Sequence, residues 1–148
     1  MSSTFLSLHY HLVFSTKYRQ PLIEAEWSTR LHEYLGGTVA GLDGIPQGIG
    51  GISDHVHLLV GLTATHRLSD FVRELKKASS IWTKDEIGVS NFAWQEGYAA
   101  FTVSAPAREG VRKYIANQAE HHRRVPFRDE LIKLLERAQL EFDERYLD

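Results

Sequence analysis

Cysteine is absent from the 148 residues, which excludes disulfides and thiolate metal sites and agrees with a reducing cytosol. No apolar run approaches the ~20 residues that a membrane-spanning helix needs. The N-terminus Met1-Ser2-Ser3-Thr4 has no basic stretch leading into an apolar one, so neither a secretion signal nor a membrane partner is expected. An excess of positive charge is missing too: 17 Lys and Arg face 19 Asp and Glu, a formal net charge of −2. A protein that holds nucleic acid by neutralising phosphates is usually basic. Any such surface here has to be a local patch. Repeats, low-complexity segments and dividing linkers are also lacking, so residues 1–148 are read as one domain, long enough to bury a core.

What is present follows clear periods. Leu8, Tyr10, Leu12 and Phe14 alternate with His9, His11 and Val13, the pattern of a strand. A helix is expected from Pro21, with Ile23, Trp27, Leu31, Tyr34 and Leu35 at helical spacing, weakened at Gly36 and Gly37 and ending before Gly44. Two strands, about 47–52 and 55–62, meet at the turn Ser53-Asp54. A helix over 68–82 buries Leu68, Phe71, Val72, Leu75 and Trp82, and is expected to turn Arg73, Lys76, Lys77 and Ser80 outward. A last strand over about 98–103 precedes a helix from Pro106 to about Arg124, stopped by Pro126. A final amphipathic helix carries Leu131, Leu134, Leu135, Ala138 and Phe142. The first six elements spell βαββαβ, so the predicted fold class is α+β: a ferredoxin-like (RRM-like) four-stranded antiparallel sheet with additional C-terminal helices. Two helices would cover one face and leave the other open.

Three groups could carry chemistry. In the third strand the period of two sends Val56, Leu58, Val60 and Leu62 to the core, so His55 and His57 should project together from the open face, with His9 and His11 beside them. Two imidazoles at that spacing can chelate one divalent ion, although a bare His-X-His is ordinarily a surface pair. Tyr114 and Gln118 are four apart on one helical face, with His121 next along it. A glutamine carbonyl can complete a metal site, and a phenol beside it can reach a bound phosphate. Alone, such a tyrosine is ordinary packing. Lys17, Arg19, Arg73, Lys76 and Lys77 are candidate contacts to a phosphate backbone, with Arg112 and Lys113 next to Tyr114. Trp94 and Tyr98 read equally as stacking platforms or as core.

Taken in order, three blocks are distinctive: His9-Tyr10-His11-Leu12-Val13-Phe14-Ser15-Thr16-Lys17, then Gly51-Ile52-Ser53-Asp54-His55-Val56-His57-Leu58-Leu59-Val60, then Tyr114-Ile115-Ala116-Asn117-Gln118. Together with the segment from Phe92 to Phe101 and the tail Glu141 to Tyr146, they resemble the single-tyrosine HUH transposases of the insertion-sequence 200/605 family and its repeat-associated relatives. The resemblance implies that His55, His57 and Gln118 hold a divalent metal ion, Mg2+ or Mn2+, and that Tyr114 is the nucleophile. It implies cleavage and rejoining of single-stranded DNA with hairpin ends at transposon boundaries through a 5′-phosphotyrosine. It further implies a homodimer in which the helix of Tyr114 docks on the other subunit, and a DNA-associated place in a prokaryotic cytoplasm.

Replication initiators and relaxases share the histidine pair but resemble this chain less. Relaxases usually place the tyrosine before the histidines, and initiators follow it three residues later with lysine, where Asn117 stands. Two other classes stay open: a domesticated, non-cutting nucleic-acid-binding module on the same fold, which the acidic balance favours, and a metal-storing or structural domain.

Overall fold

The structure, a computed structural model, describes residues 3–147. Four strands, β1 (His9–Ser15), β2 (Ile45–Ile52), β3 (His55–Gly61) and β4 (Ala99–Thr102), form one sheet in the order β2-β3-β1-β4. Every neighbouring pair is antiparallel, as the βαββαβ order requires. The register sets Leu12 opposite Leu58 and Phe14 opposite Val56, which puts these side chains on one face. Helix α1 (Ala25–Gly41) and helix α2 (Leu68–Trp82) close that face. Trp27, Leu31, Leu35 and Val39 from α1 and Phe71, Val72 and Leu75 from α2 join the strand residues in one buried cluster. Each fully buried side chain of this size stabilises the fold by about 1.5–3 kcal/mol.

Helix α1 begins at Ala25 rather than Pro21, because Ile23 is pinned earlier by its N–H donating to the Ser53 carbonyl. It runs unbroken through Gly36 and Gly37; a Cβ at Gly36 would lie 3.5 Å from Ile49, so packing on β2 outweighs the intrinsic cost of glycine. Helix α2 has the expected bounds, but Lys76 does not face outward. Its ammonium donates to the carbonyls of Gln95 (2.8 Å), Glu96 (3.2 Å) and Gly97 (2.6 Å). It also lies over the rings of Phe14 and Tyr98. Burial lowers its pKa to about 8.

The second sheet face is not open. Helix α3 (Arg108–Ala116), the short α4 (Gln118–His121) and α5 (Phe127–Arg137) lie over it, so the expected half-covered sheet is covered on both sides. The single helix expected from Pro106 to Arg124 is broken at Asn117, whose backbone (φ −102°, ψ 22°) leaves the helical region. Asparagine resists a helix interior only weakly; the break stands because it turns Gln118 inward to full burial while Ala116 and Asn117 stay exposed. The last helix ends at Arg137, so Phe142 lies beyond it. No helix among the described residues is long and apolar enough to cross a membrane.

Candidate metal and nucleophile centre

β3 delivers His55 and His57 to the second face, and both are 0% exposed. They were expected to be uncovered; instead α3–α5 roof them over. The register explains how the roof fits. Gly50 lies directly across from His57, and a Cβ there would come within 2.3 Å of the Ile115 carbonyl oxygen. The glycine-rich strand β2 is therefore the seat of α3, and only a residue without a side chain lets the helix of Tyr114 approach the histidines so closely.

Each imidazole is aimed by its other nitrogen. His55 Nδ1 is 2.8 Å from Asp54 Oδ1, and its ring stacks on Phe127 with centroids 4.1 Å apart. His57 Nδ1 is 2.7 Å from Nε2 of His11, whose ring stacks on it. From α5 the Glu130 carboxylate enters the same space, 2% exposed. Its Oε1 lies 3.0 Å from His57 Nε2 and 3.5 Å from His55 Nε2. Its Oε2 accepts from the Tyr114 hydroxyl and, at 3.1 Å, from Gln118 Nε2. Gln118 Oε1 sits 3.0 Å from His55 Nε2. His122, whose Nδ1 faces the Val125 carbonyl, brings Nε2 to 3.0 Å from Gln118 Oε1 and 3.1 Å from Glu130 Oε1.

The electrostatics follow from this crowding. Burial, then the neighbouring His57, lowers the His11 pKa to about 3, and burial lowers that of His57 as well. Burial would also lower His122, but its hydrogen bond to Glu130 and that group's charge outweigh it and raise the value. Burial opposes the Glu130 charge, yet hydrogen bonds from His122 and His57 hold it well below the usual carboxylate range. Tyr114 is pushed above an ordinary phenol by burial and by its bond to Glu130. Ligand atoms of His55, His57, His122 and Glu130 all lie within 4.8 Å of one another, so the cluster could hold a metal ion. The mix of imidazole and carboxylate suits a divalent first-row ion.

His55, His57, Gln118 and Tyr114, singled out in the sequence, are thus brought together within one chain. The basic candidates are not. Arg73, Lys76 and Lys77 belong to α2 on the opposite face. Arg73 is paired with Asp70 at 3.0 Å, and the Lys76 ammonium is taken up by carbonyls. Lys17 and Arg19 flank Tyr18 in a short turn after β1, where Thr16 N donates to the Asp54 carbonyl. Beside Tyr114 a cleft of about 510 Å3 is lined by Lys113, Asn117, His121 and Arg124 among others. Sequence reasoning missed His122, Glu130 and Asp54. One signal existed: Glu130 falls three residues after Phe127 on the apolar side of an amphipathic helix, a carboxylate where a core residue is expected.

This four-stranded antiparallel sheet with helices packed on its faces is a transposase fold. The chain belongs to the IS200-like transposase family, whose pattern matches residues 4–118. It is 33% identical over 120 residues to the ISDra2 transposase TnpA of Deinococcus radiodurans, covering 75% of this chain and 84% of that protein. A crystal structure of a candidate transposase from Deinococcus radiodurans superposes with a TM-score of 0.63 at 28% identity, covering 80% of this chain and 96% of the other. A REP-associated tyrosine transposase bound to a REP hairpin shares the fold, with a TM-score of 0.59 at 15% identity over 82% of this chain and 74% of that one.

Proposed function

We propose that this transposase cuts and rejoins single-stranded DNA through Tyr114, acting as one HUH domain over residues 1–148. The observation that carries the reading is the convergence of His55, His57, Gln118 and the Tyr114 hydroxyl around a single carboxylate. Nucleophile and candidate ligands thereby share one small space, as in-line attack on a bound phosphate demands. His55, His57 and Gln118 would hold a divalent ion, Mg2+ or Mn2+, which would supply charge stabilisation to the scissile phosphate.

The chain's own residues do the rest. Tyr114 Oη forms the bond to phosphorus as the bond from phosphorus to the 3′-oxygen breaks. The products are a 5′-phosphotyrosine and a 3′-hydroxyl, with the phenolic proton lost on attack and the leaving oxygen protonated. Burial disfavours the phenolate, so positive charge at the histidine centre must offset that cost. A later 3′-hydroxyl resolves the ester, re-forming the phosphodiester and releasing the Tyr114 hydroxyl. Lys113 and Arg124 of the adjoining cleft are placed to guide the strand. The hairpin bound by the REP-associated relative supports hairpin-bearing single strands as substrate at transposon ends.

Incubation with hairpin-bearing single-stranded DNA and Mn2+ should trap a covalent adduct, absent in Tyr114→Phe. No adduct over a panel of such ends would leave the non-cutting binding module, the reading that the net charge of −2 favours. Homodimerisation with exchange of the Tyr114 helix between subunits, as the resemblance implies, is part of the proposal; within one chain the Tyr114 hydroxyl lies beside its own histidines, donating to Glu130. A mixture of His57→Ala and Tyr114→Phe chains should accordingly regain cleavage, and no recovery would leave Tyr114 acting within its own chain. Restored cleavage would establish exchange of α3 between subunits.

A further inference from the structure

We propose that His122 and Glu130 are metal ligands in this chain, completing a five-donor set with His55, His57 and Gln118 and drawing α5 into the metal centre. The inference rests on the reading of the site as a metal centre and names two ligands which that reading leaves out.

The first argument is proton counting. His55 directs Nδ1 at Asp54 Oδ1, and His122 directs Nδ1 at the Val125 carbonyl oxygen. Both partners are acceptors, so both rings carry their proton on Nδ1 and, when neutral, present a lone pair at Nε2. Those lone pairs do not face donors. His55 Nε2 faces Gln118 Oε1 at 3.0 Å and Glu130 Oε1 at 3.5 Å; His122 Nε2 faces the same two oxygens at 3.0 and 3.1 Å. The Gln118 amide cannot simply be reversed, because its Nε2 donates to Glu130 Oε2. Either a proton on each Nε2 or a cation must lie between these atoms, and because both rings converge on the same two oxygens, one cation among them serves every contact at once. His57 fits the same logic when its Nδ1–H donates to His11. The carboxylate on the far nitrogen of His55 and the carbonyl on that of His122 are also the support that ligating histidines usually have.

The second argument is spacing. Neighbouring ligands of a six-coordinate ion with bonds of about 2.1 Å lie about 3.0 Å apart. Along the cluster, Gln118 Oε1 to His55 Nε2, Gln118 Oε1 to His122 Nε2, His122 Nε2 to Glu130 Oε1 and Glu130 Oε1 to His57 Nε2 measure 3.0, 3.0, 3.1 and 3.0 Å. The largest separation within the His55, His57, His122 and Glu130 set is within 4.8 Å. Five protein donors leave one position of an octahedron for a phosphate oxygen. Three imidazoles and one carboxylate also favour Mn2+ over the harder Mg2+.

The test uses full-length protein stripped with chelator, with MnCl2 as the probe and no DNA. Wild type should bind one Mn2+, and electron spin-echo spectra should count three imidazole nitrogens. His122→Ala should show two, with at least tenfold weaker binding; Glu130→Gln should keep three while weakening binding to a similar extent. The count on wild type needs no variant, so misfolding cannot obscure it. Binding of Mn2+ through two imidazoles overturns this inference and leaves the two-histidine centre standing, whereas no binding by wild type overturns the metal centre itself.

Discussion

His11 shows how much one buried residue contributes to the behaviour of the centre. It is 5% exposed, stacked on His57, with its pKa lowered to about 3. Between that value and the ordinary 6.5, the unfolded chain takes up a proton that the folded chain refuses. Stability therefore falls as pH drops through this window, by about 1.4 kcal/mol per pH unit for the one group. Urea titrations of metal-free protein from pH 7 to pH 4 should show this loss, and His11→Phe should make it less steep, with the buried His57 keeping a remainder of the same sign. Lys76 is the other residue whose role the structure reassigns. Three carbonyls of the 95–97 segment take its protons, so Lys76→Met should cost about 1–3 kcal/mol of unfolding free energy. Single-stranded DNA affinity should stay nearly unchanged, which a binding assay at fixed salt would check.

At the scale of elements, the close contact of β2 with α3 governs where Tyr114, the proposed nucleophile, sits. Gly50→Ala places a methyl 2.3 Å from the Ile115 carbonyl, so strand or helix must move. The expected result is a loss of about 1–3 kcal/mol in stability together with a fall in adduct formation larger than that loss explains, measured on protein still folded at the assay temperature. The elements themselves were largely legible in the sequence. β3 and α2 follow their periods nearly to the residue, because one face of each is packed in apolar core. The site was legible where two features coincide, as at His55, His57, Tyr114 and Gln118. It was not legible at Asn117, where tertiary packing ends a helix that local propensity would continue. Nor was the roof legible: amphipathicity in α5 reveals that it packs, not on which face of the sheet. Placing Glu130 needs that long-range information.

The whole molecule divides its labour across the sheet. One face is a conventional apolar core with α1 and α2; the other buries the polar cluster of His55, His57, Gln118 and Glu130. Net charge enters at this scale, since −2 overall leaves DNA binding to a few local cations. Lys113 and Arg124 line the cleft at Tyr114. Replacing both with Gln should weaken single-stranded DNA binding uniformly across sequences and reduce the slope of log K against log salt by about 1.4, at roughly 0.7 per phosphate. An unchanged slope would move the DNA path elsewhere, with the turn at Lys17 the next place to look.

The family pattern ends at residue 118, and both His122 and Glu130 come after it. Two relatives can therefore agree at every motif position and still differ in what surrounds their histidines. With the proposed ligand set, the stretch that follows the signature residues would decide how tightly this chain's centre holds its ion.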